Sequence, residues 1–325
     1  PDELAGLACE EEVQSRLVYK KEEQWQAEFG PFEDYSHLGD EGWSLIVQAV
    51  DHWHEDAAKL IEPFRFIPHW RLDDLMVSFA TPGGGVGPHI DLYDVFICQG
   101  SGRRQWSVGD KGEHREFAAH EALLHVDPFE PIIDVELYPG DILYILPGFP
   151  HDGFTLENSL SFSVGFRTNS ATNLFSGFAD HLIDHELATE LIEDPNRSLT
   201  NASGEICSED FMRVKTHMQS IMDNDALYKK FVGSYLTQPK HELDLVETEK
   251  PLSNQEVSKL MTKRHLRRLG GLRAFYFTET VNKGICYING EEVNFESAIS
   301  EAVKLLCNNV VVFQEDLSHW QHNYD

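Results

Sequence analysis

The amino-acid sequence predicts an α+β protein in which a β-rich central region lies between two helical regions and a small mixed module follows. Three observations predict this class. Short runs of β-branched and aromatic residues crowd the stretch from about Trp70 to Arg167. Helical spacing of apolar residues occurs on both sides of that stretch, and the tail alternates helical and strand patterns. We divide the chain accordingly into residues 1–172, 173–245 and 246–325.

The N-terminal part, residues 1–65, is predicted to be mostly helical. Its main support is the stretch Trp43–Leu60, in which apolar residues recur near i, i+3 and i+4 spacing. This spacing would place them on one face of a helix that packs against the central region.

The central region is predicted to be a barrel or a sandwich, because many short strands separated by turn signals are typical of both. The runs that indicate strands are LMVSFA, DVFICQG, RQWSVGD, IIDVELYPGD, ILYILPG and LSFSVGF.

From Asn173 to about Leu245 the pattern is helical again, and residues 240–254 are predicted to be a linker. The tail then follows the order helix, strand, strand, helix, strand. Asn289-Gly290 is a strong signal for a hairpin turn between two of these strands. This content is that of a small winged-helix module.

The charge of the chain is strongly acidic and unevenly distributed. The formal net charge is −29, yet residues 250–325 hold nine basic and nine acidic side chains, so the whole surplus lies in residues 1–249. Such a surface repels nucleic-acid phosphates and attracts a basic partner. Acidity of this kind also simply keeps a protein soluble, so it does not select a partner alone.

The cysteine content and the chain start bear on the compartment. The five cysteines form no CxxC pair, which argues against a zinc ribbon or a disulfide framework and favours a reducing cytoplasm. No apolar run reaches the about 18 residues of a membrane span. The start at Pro1 has neither an initiator Met nor the pattern of a signal peptide, so we expect residues to precede it.

The sharpest motif is a glycine loop, Gly83–Gly87, that runs into His89-Ile90-Asp91. Residues i and i+2 of a strand point to the same face, so His89 and Asp91 are predicted to project together into the barrel. The best third ligand is His151, which follows an apolar strand and a second turn. Two histidines and one carboxylate on one face are typical of non-haem Fe(II) oxygenases.

Other histidines offer alternatives. A second His-x-Asp, His125-Val126-Asp127, lies in a polar connecting stretch without a glycine loop. His52 and His54 are two apart on an expected helix and so face different ways. His185-Glu186 begins like a zinc-protease motif but lacks a second histidine at position 189. The simplest interpretation of these side chains is structural.

Arg104 is the candidate ligand for a co-substrate. A 2-oxoglutarate dianion that chelates iron needs a cation for its far carboxylate, and a guanidinium can hold a carboxylate by two parallel hydrogen bonds. Arg104 shares strand parity with Trp106 and Val108, so it is predicted to point inward while Arg103 points outward. The alternative is a surface arginine beside an ordinary core tryptophan.

Taken together, these stretches resemble the bacterial ribosomal oxygenases of the JmjC/cupin class. The similar segments are DDLMVSFATPGGGVGPHIDLYDVFICQGSGRRQWSVG, VDPFEPIIDVELYPGDILYILPGFPHDGFTLENSLSFSVGFR, SGFAD and LRRLGGLRAFYF. The resemblance covers nearly the whole chain, and spacing and flanking residues match as well as the ligands. Residues 194–225 look more divergent.

The resemblance implies a double-stranded β-helix with Fe(II) at His89, Asp91 and His151. It implies that Arg104, fifteen residues after His89, binds the C5 carboxylate of 2-oxoglutarate, and that O2 is the oxidant. It also implies that the middle helices form a homodimer interface and that the tail is a winged helix. The family's N-terminus extends beyond the position of Pro1.

The implied substrate is an arginine side chain of ribosomal protein L16, hydroxylated at C3. Such a side chain needs a carboxylate for its guanidinium and apolar walls for its methylenes. Asp74, Met76 and Tyr93 are predicted to supply the charge partner, a wall and a stacking ring, while Asp73 is expected to point to the opposite face. The alternative is that Asp74 caps a strand and that Met76 and Tyr93 are core residues.

Three other functions remain open at this stage. The chain could be a related oxygenase that acts on another residue, such as a histidine of a ribosomal protein, or a demethylase. It could be a metal cupin without oxygenase activity, such as an isomerase, which would not need Arg104. It could also be a non-enzymatic regulatory protein with a nucleic-acid-binding tail, although the tail is charge-neutral despite its basic cluster: Lys263, Arg264, Arg267, Arg268 and Arg273. Direct nucleic-acid binding is therefore not expected, and neither is membrane association.

Overall fold

The structure is a computed structural model that describes residues 1–241, 243, 250, 252–262 and 264–317. Most of the predicted linker and Lys263 of the basic cluster lie outside the described residues. The chain contains two compact units: residues 1–168 with 239–252 and 269–272, and residues 169–238 with 253–268 and 273–325. The division into three domains predicted from sequence stays a prediction.

The first unit is dominated by antiparallel strands. Its helices are short: α1 (Asp2–Leu7), α2 (Val50–Trp53) and α3 (Glu55–Ala58), with 3-10 turns at Lys59–Phe64 and His69–Arg71. Its strands are β1 (Ser15–Lys21), β2 (Gln24–Phe29), β3 (Trp43–Val47), β4 (Leu72–Ala80), β5 (His89–Ile90), β6 (Asp94–Ser101), β7 (Arg104–Gly109), β8 (Glu116–His120), β9 (Leu123–Val126), β10 (Pro131–Leu137), β11 (Ile142–Ile145), β12 (Pro150–Thr155) and β13 (Ser159–Phe166).

These strands build two main sheets. One sheet has seven strands in the order β11-β6-β13-β4-β3-β1-β2, and the other has four in the order β10-β7-β12-β5. A buried cluster joins side chains of β6 and β11 from the first sheet to side chains of β7 and β10 from the second, so the two sheets face each other. The eight strands β4–β7 and β10–β13 form the predicted double-stranded β-helix. Strands β8 and β9 form a separate hairpin.

The prediction of a mostly helical N-terminal part is wrong between residues 15 and 47. Strands β1 and β2 form a hairpin whose turn is Glu22-Glu23, with φ of 50° and 64°. Two-residue hairpin turns with positive φ usually contain Asn or Gly, so this turn carried no sequence signal. The predicted helix 43–60 is instead β3, which pairs with β1 and β4, followed by short helical pieces after Ala49 at φ 51°. Its apolar residues are buried because they lie inside a sheet.

The second unit contains the helices α4 (Ala171–Asp184), α5 (Ser208–Met222) and α6 (Asp225–Thr237). The predicted helical region is confirmed in these three segments, but residues 185–207, which the prediction included, contain no helix. The tail has α7 (Asn254–Met261), β14 (Leu266–Arg267), β15 (Ala274–Phe275), α8 (Thr278–Val281), β16 (Ile285–Ile288), β17 (Glu291–Asn294), α9 (Ser300–Asn308), β18 (Val311–Val312) and α10 (Gln314–Leu317), with a 3-10 turn at Ser297–Ile299. The Asn289-Gly290 turn joins β16 to β17, as predicted, with φ of 47° and 91°. No helix within the described residues is long and apolar enough to cross a membrane.

Candidate active site

Three side chains predicted from the motifs meet at the end of the four-stranded sheet. His89 on β5 pairs directly with His151 on β12, and Asp91 follows β5. The Asp91 Oδ2 lies 4.0 Å from His89 Nε2 and 3.8 Å from His151 Nε2. Within the described residues, these three form the one group of His, Cys, Asp or Glu side chains whose possible ligand atoms all lie within 4.8 Å of one another.

Backbone carbonyls orient both imidazole rings. Nδ1 of His89 lies 2.8 Å from the Gly87 carbonyl oxygen, and Nδ1 of His151 lies 3.1 Å from that of Phe149. Because a carbonyl can only accept, each Nδ1 carries a proton, and Nε2 is the ring nitrogen that remains to bind a metal beside Asp91. Burial, with the neighbouring His89, lowers the pKa of His151 to about 4, so this ring is neutral near pH 7. The donor set fits a divalent metal of intermediate softness.

Arg104 is buried in the same cavity, at 6% exposure. Its Nε donates to Ser159 Oγ at 2.8 Å, and its two terminal nitrogens donate to Ser78 Oγ at 2.7 Å and the Ser78 carbonyl oxygen at 2.9 Å. A guanidinium has five N–H donors, and three are used in these hydrogen bonds. Two N–H groups of Arg104 therefore remain to bind an anion. No carboxylate of the described chain forms an ion pair with Arg104, and burial lowers its pKa to about 10. The site holds a buried cation whose natural complement is a carboxylate.

Trp106 supplies a second unused donor. Its indole Nε1 is buried and has no hydrogen-bond partner, and its ring lines the cavity beside His151 at 6.1 Å between centroids. A buried donor of this kind costs free energy unless something fills the cavity and accepts from it. A Cβ at Gly153 would come within 2.8 Å of the indole, so only glycine leaves room for this ring.

Asp74, Met76 and Tyr93 also line this cavity. The Asp74 carboxylate is buried and accepts a hydrogen bond from the Ala49 backbone N–H at 2.8 Å. Burial nevertheless raises the pKa of Asp74 to about 7. Burial and the negative charge of the nearby Asp91 raise the pKa of the Tyr93 hydroxyl well above the usual range.

The expectation that Asp73 points away from this site is wrong, because Asp73 and Asp74 line the same cavity. Leu75 pairs with Val164 and Leu72 pairs with Phe166, so both aspartates stand opposite Gly165. This is a β-bulge, in which one extra residue interrupts the alternation of side chains. The alternation rule therefore fails at the position where it was used to choose between the two carboxylates.

Two cations that the sequence analysis missed converge on Asp73. Arg167 Nε lies 3.1 Å from Asp73 Oδ2, and Lys240 Nζ lies 2.7 Å from Asp73 Oδ1. The guanidinium of Arg167 also lies over the Tyr93 ring, 5.1 Å from its centroid. Arg167 could have been suspected because it directly follows the last barrel strand. Lys240 gave no local signal, since only the tertiary fold brings it to β4.

The alternative histidines have structural surroundings. His125 is buried, and its Nε2 lies 2.8 Å from the Val86 carbonyl oxygen, whereas Asp127 is exposed. His52 is buried between Asp51 and the ring of His241. His185 follows α4, and its Nδ1 donates to the His181 carbonyl oxygen at 2.9 Å.

Comparison with known proteins agrees with this geometry. The JmjC domain family matches residues 59–174, and the ROXA-like winged helix family matches residues 218–324. The chain is 46% identical over 317 residues to the ribosomal protein uL16 3-hydroxylase of Escherichia coli K12, which covers 97% of this chain and 83% of that protein. It is 33% identical over 264 residues to a probable ribosomal oxygenase of Haemophilus influenzae, covering 75% of this chain and 63% of that protein. The structure of YcfD, a ribosomal oxygenase from E. coli in complex with cobalt and 2-oxoglutarate, superposes with a TM-score of 0.88 at 45% identity, covering 97% of this chain and 83% of that one.

The double-stranded β-helix and the match to the JmjC domain family define the class of the protein, a JmjC-type oxygenase. Within that class, the identity to the E. coli relative over nearly the whole chain shows that it belongs to the ribosomal oxygenase family. The predicted barrel, the winged helix and the oxygenase class are thereby confirmed. The roles of the individual site residues stay predictions.

Proposed function

We propose that the protein is an Fe(II)- and 2-oxoglutarate-dependent dioxygenase that hydroxylates C3 of an arginine side chain in ribosomal protein uL16. The main supporting observation is a single cavity lined by His89, Asp91, His151 and Arg104. Arg104 is buried there and forms no ion pair with a carboxylate of the described residues. The names of the E. coli relative and of the cobalt and 2-oxoglutarate complex support it.

In this proposal, His89, Asp91 and His151 hold the metal. Bound Fe(II), with 2-oxoglutarate and O2, supplies the oxidation of an unactivated C–H bond to an alcohol while the co-substrate becomes succinate and CO2. The chain's own contribution is to fix both imidazole rings by their Nδ1–H bonds to backbone carbonyls. Three protein ligands leave coordination positions open for co-substrate and oxygen.

Arg104 binds the C5 carboxylate of 2-oxoglutarate with its two unused N–H groups. Ser78 and Ser159 hold the guanidinium in place, so its orientation is set before the ligand arrives. Fixed donors in a buried site lose little entropy on binding and recognise a carboxylate strongly.

Asp74, Met76 and Tyr93 receive the substrate arginine. The Asp74 carboxylate pairs with the guanidinium, Met76 lies along the methylenes, and the Tyr93 ring offers a face to the cation. Because Tyr93 and Asp91 line the same cavity, this pocket lies beside the proposed metal ligands.

The proposal includes a homodimer in the cytoplasm. Helix α5 contains no buried residue, and four of its five exposed apolar side chains recur at helical spacing on one face: Phe211, Val214, Met218 and Met222. A second copy of the chain is the partner that the family resemblance implies for this face. The acidic surplus of residues 1–249 suits a basic ribosomal protein as substrate.

The test is mass spectrometry of uL16 peptides incubated with the enzyme, Fe(II), 2-oxoglutarate and air. We expect an increase of about 16 Da on one arginine, absent with His89→Ala and absent when that arginine is replaced by lysine. A mass increase on a histidine would instead support the related histidine hydroxylase. Succinate formation that no uL16 peptide stimulates would contradict the proposed substrate.

A further inference from the structure

The loop that delivers His89 is fixed from outside the barrel by His125. His125 is the last residue but one of β9, is 2% exposed, and belongs to the second His-x-Asp motif, for which the proposed function has no use. Its Nε2 lies 2.8 Å from the carbonyl oxygen of Val86. Since a carbonyl only accepts, Nε2 of His125 carries the proton and donates it to the glycine loop.

Three successive carbonyls of this loop are occupied. The Val86 carbonyl accepts from His125, the Gly87 carbonyl accepts from Nδ1 of His89, and the Pro88 carbonyl accepts from the Val126 backbone N–H at 2.9 Å. Strand β9 therefore donates hydrogen bonds to the loop residues on both sides of Gly87. The hydrogen bond that His89 donates is accepted by Gly87, the residue between these two contacts.

Packing also restricts the position of Gly87. Gly87 has φ of 81°, and a Cβ there would come within 2.3 Å of the His125 ring and 2.9 Å of Trp25. The Trp25 and His125 rings are themselves in edge contact, with centroids 4.9 Å apart. The backbone that carries the Gly87 carbonyl thus lies directly against the two rings, and movement of the His125 ring would shift it.

We propose that His125 is a positioning residue for the metal site, acting through Val86 and Gly87 on the Nε2 direction of His89. The proposal rests on the proposed function, in which His89 is a metal ligand. Outer partners that orient a ligating histidine typically contribute about 10–100-fold to metal affinity. His125 would act indirectly, by fixing the Gly87 carbonyl oxygen that accepts the hydrogen bond from His89.

Four variants separate the hydrogen bond from the packing. His125→Phe keeps a ring but removes the donor. His125→Gln carries an amide N–H to about the position of Nε2, whereas His125→Asn is too short to reach it. His114→Phe is the matched control, because His114 belongs to the same unit and its Nε2 lies 2.9 Å from the Asp110 carbonyl oxygen rather than from the glycine loop.

The measurement is a Co(II) titration of each full-length variant with 2-oxoglutarate present, followed by visible absorption and accompanied by thermal unfolding of the metal-free protein. We expect Co(II) affinity to fall about 10-fold or more in His125→Phe and His125→Asn, and to stay within a few-fold of wild type in His125→Gln and His114→Phe. If His125→Phe does not fold, the comparison of Co(II) affinity between His125→Gln and His125→Asn tests the proposal by itself.

Wild-type Co(II) affinity in His125→Asn or in folded His125→Phe would overturn the positioning role. Equal loss in His125→Gln and His125→Asn would also overturn it, since the donor would then be irrelevant. A wild-type protein that binds no Co(II) would instead refute the proposed metal site, so the two failures are distinguishable.

Discussion

Replacing Arg104 by methionine should separate ligand binding from folding. Arg104 is a buried cation, and the lowering of its pKa from 12.5 to about 10 corresponds to a burial cost of about 3 kcal/mol, since one pKa unit is about 1.4 kcal/mol. Its three charge-assisted hydrogen bonds to Ser78 and Ser159 offset this by about 1.5 kcal/mol each, the lower end of the range for charged donors. The hydrogen bonds outweigh the burial cost by only about 1–2 kcal/mol, so Arg104→Met should lower the unfolding temperature by only a few degrees.

The effect on 2-oxoglutarate is expected to be much larger. Removing one partner of a buried, hydrogen-bonded charge pair costs about 2–5 kcal/mol, which corresponds to a Kd raised about 30-fold to about 4,000-fold. Calorimetric titration of 2-oxoglutarate into the anaerobic, Mn(II)-loaded protein measures it. Arg103→Met is the control, because Arg103 pairs with Glu136 and Glu157 outside the cavity.

Two results would refute this reasoning. Binding of 2-oxoglutarate by Arg104→Met within about threefold of wild type would show that the guanidinium does not hold the carboxylate. A large loss of thermal stability in the metal-free, ligand-free protein would show that the hydrogen bonds to the serines outweigh the burial cost by far more than about 2 kcal/mol, and the predicted balance would be wrong.

Three further predictions concern the pocket and the assembly. Burial raises the pKa of Asp74 to about 7, so the carboxylate form is lost as pH falls below that value. KM for an arginine peptide should therefore decrease as pH rises from about 6 to about 8. Asp74→Asn should abolish this pH dependence of KM in initial-rate measurements. Arg167→Ala should lower that KM about 2–5-fold by freeing the Tyr93 face, given about 0.5–1 kcal/mol for an exposed cation–π contact, whereas a higher KM would mean that Arg167 assists the substrate. Met218→Asp on α5 should convert a dimer to a monomer in light scattering after size exclusion, and Thr216→Asp, which changes an exposed residue on the opposite face of the same helix, should not.

The sequence predicted the parts of the site that depend on local rules. His89 and Asp91 stand two residues apart at a strand, and Arg104 alternates with Arg103 as a strand requires, so their directions follow from period-two geometry. The same rule failed at Asp73, because the bulge opposite Gly165 depends on how β4 pairs with a strand distant in sequence. The hairpin at Glu22-Glu23 was missed for a related reason, since its turn is held by the sheet against the preference of its residues.

The charges of the cavity explain why its ligands are specified so closely. Arg104 has no carboxylate partner in the described chain, and Asp74 lies deep enough that burial outweighs its hydrogen bond from Ala49. Both pKa values are shifted toward the neutral form, and both shifts have burial as their largest cause. Each group therefore gains most from a ligand of opposite charge that excludes the same water: a dicarboxylate for Arg104 and a guanidinium for Asp74. Exchanging the two ligands would place a carboxylate beside Asp74 and a guanidinium beside Arg104. The same burial that shifts the two pKa values would strengthen this repulsion, so each group favours its own ligand over the other.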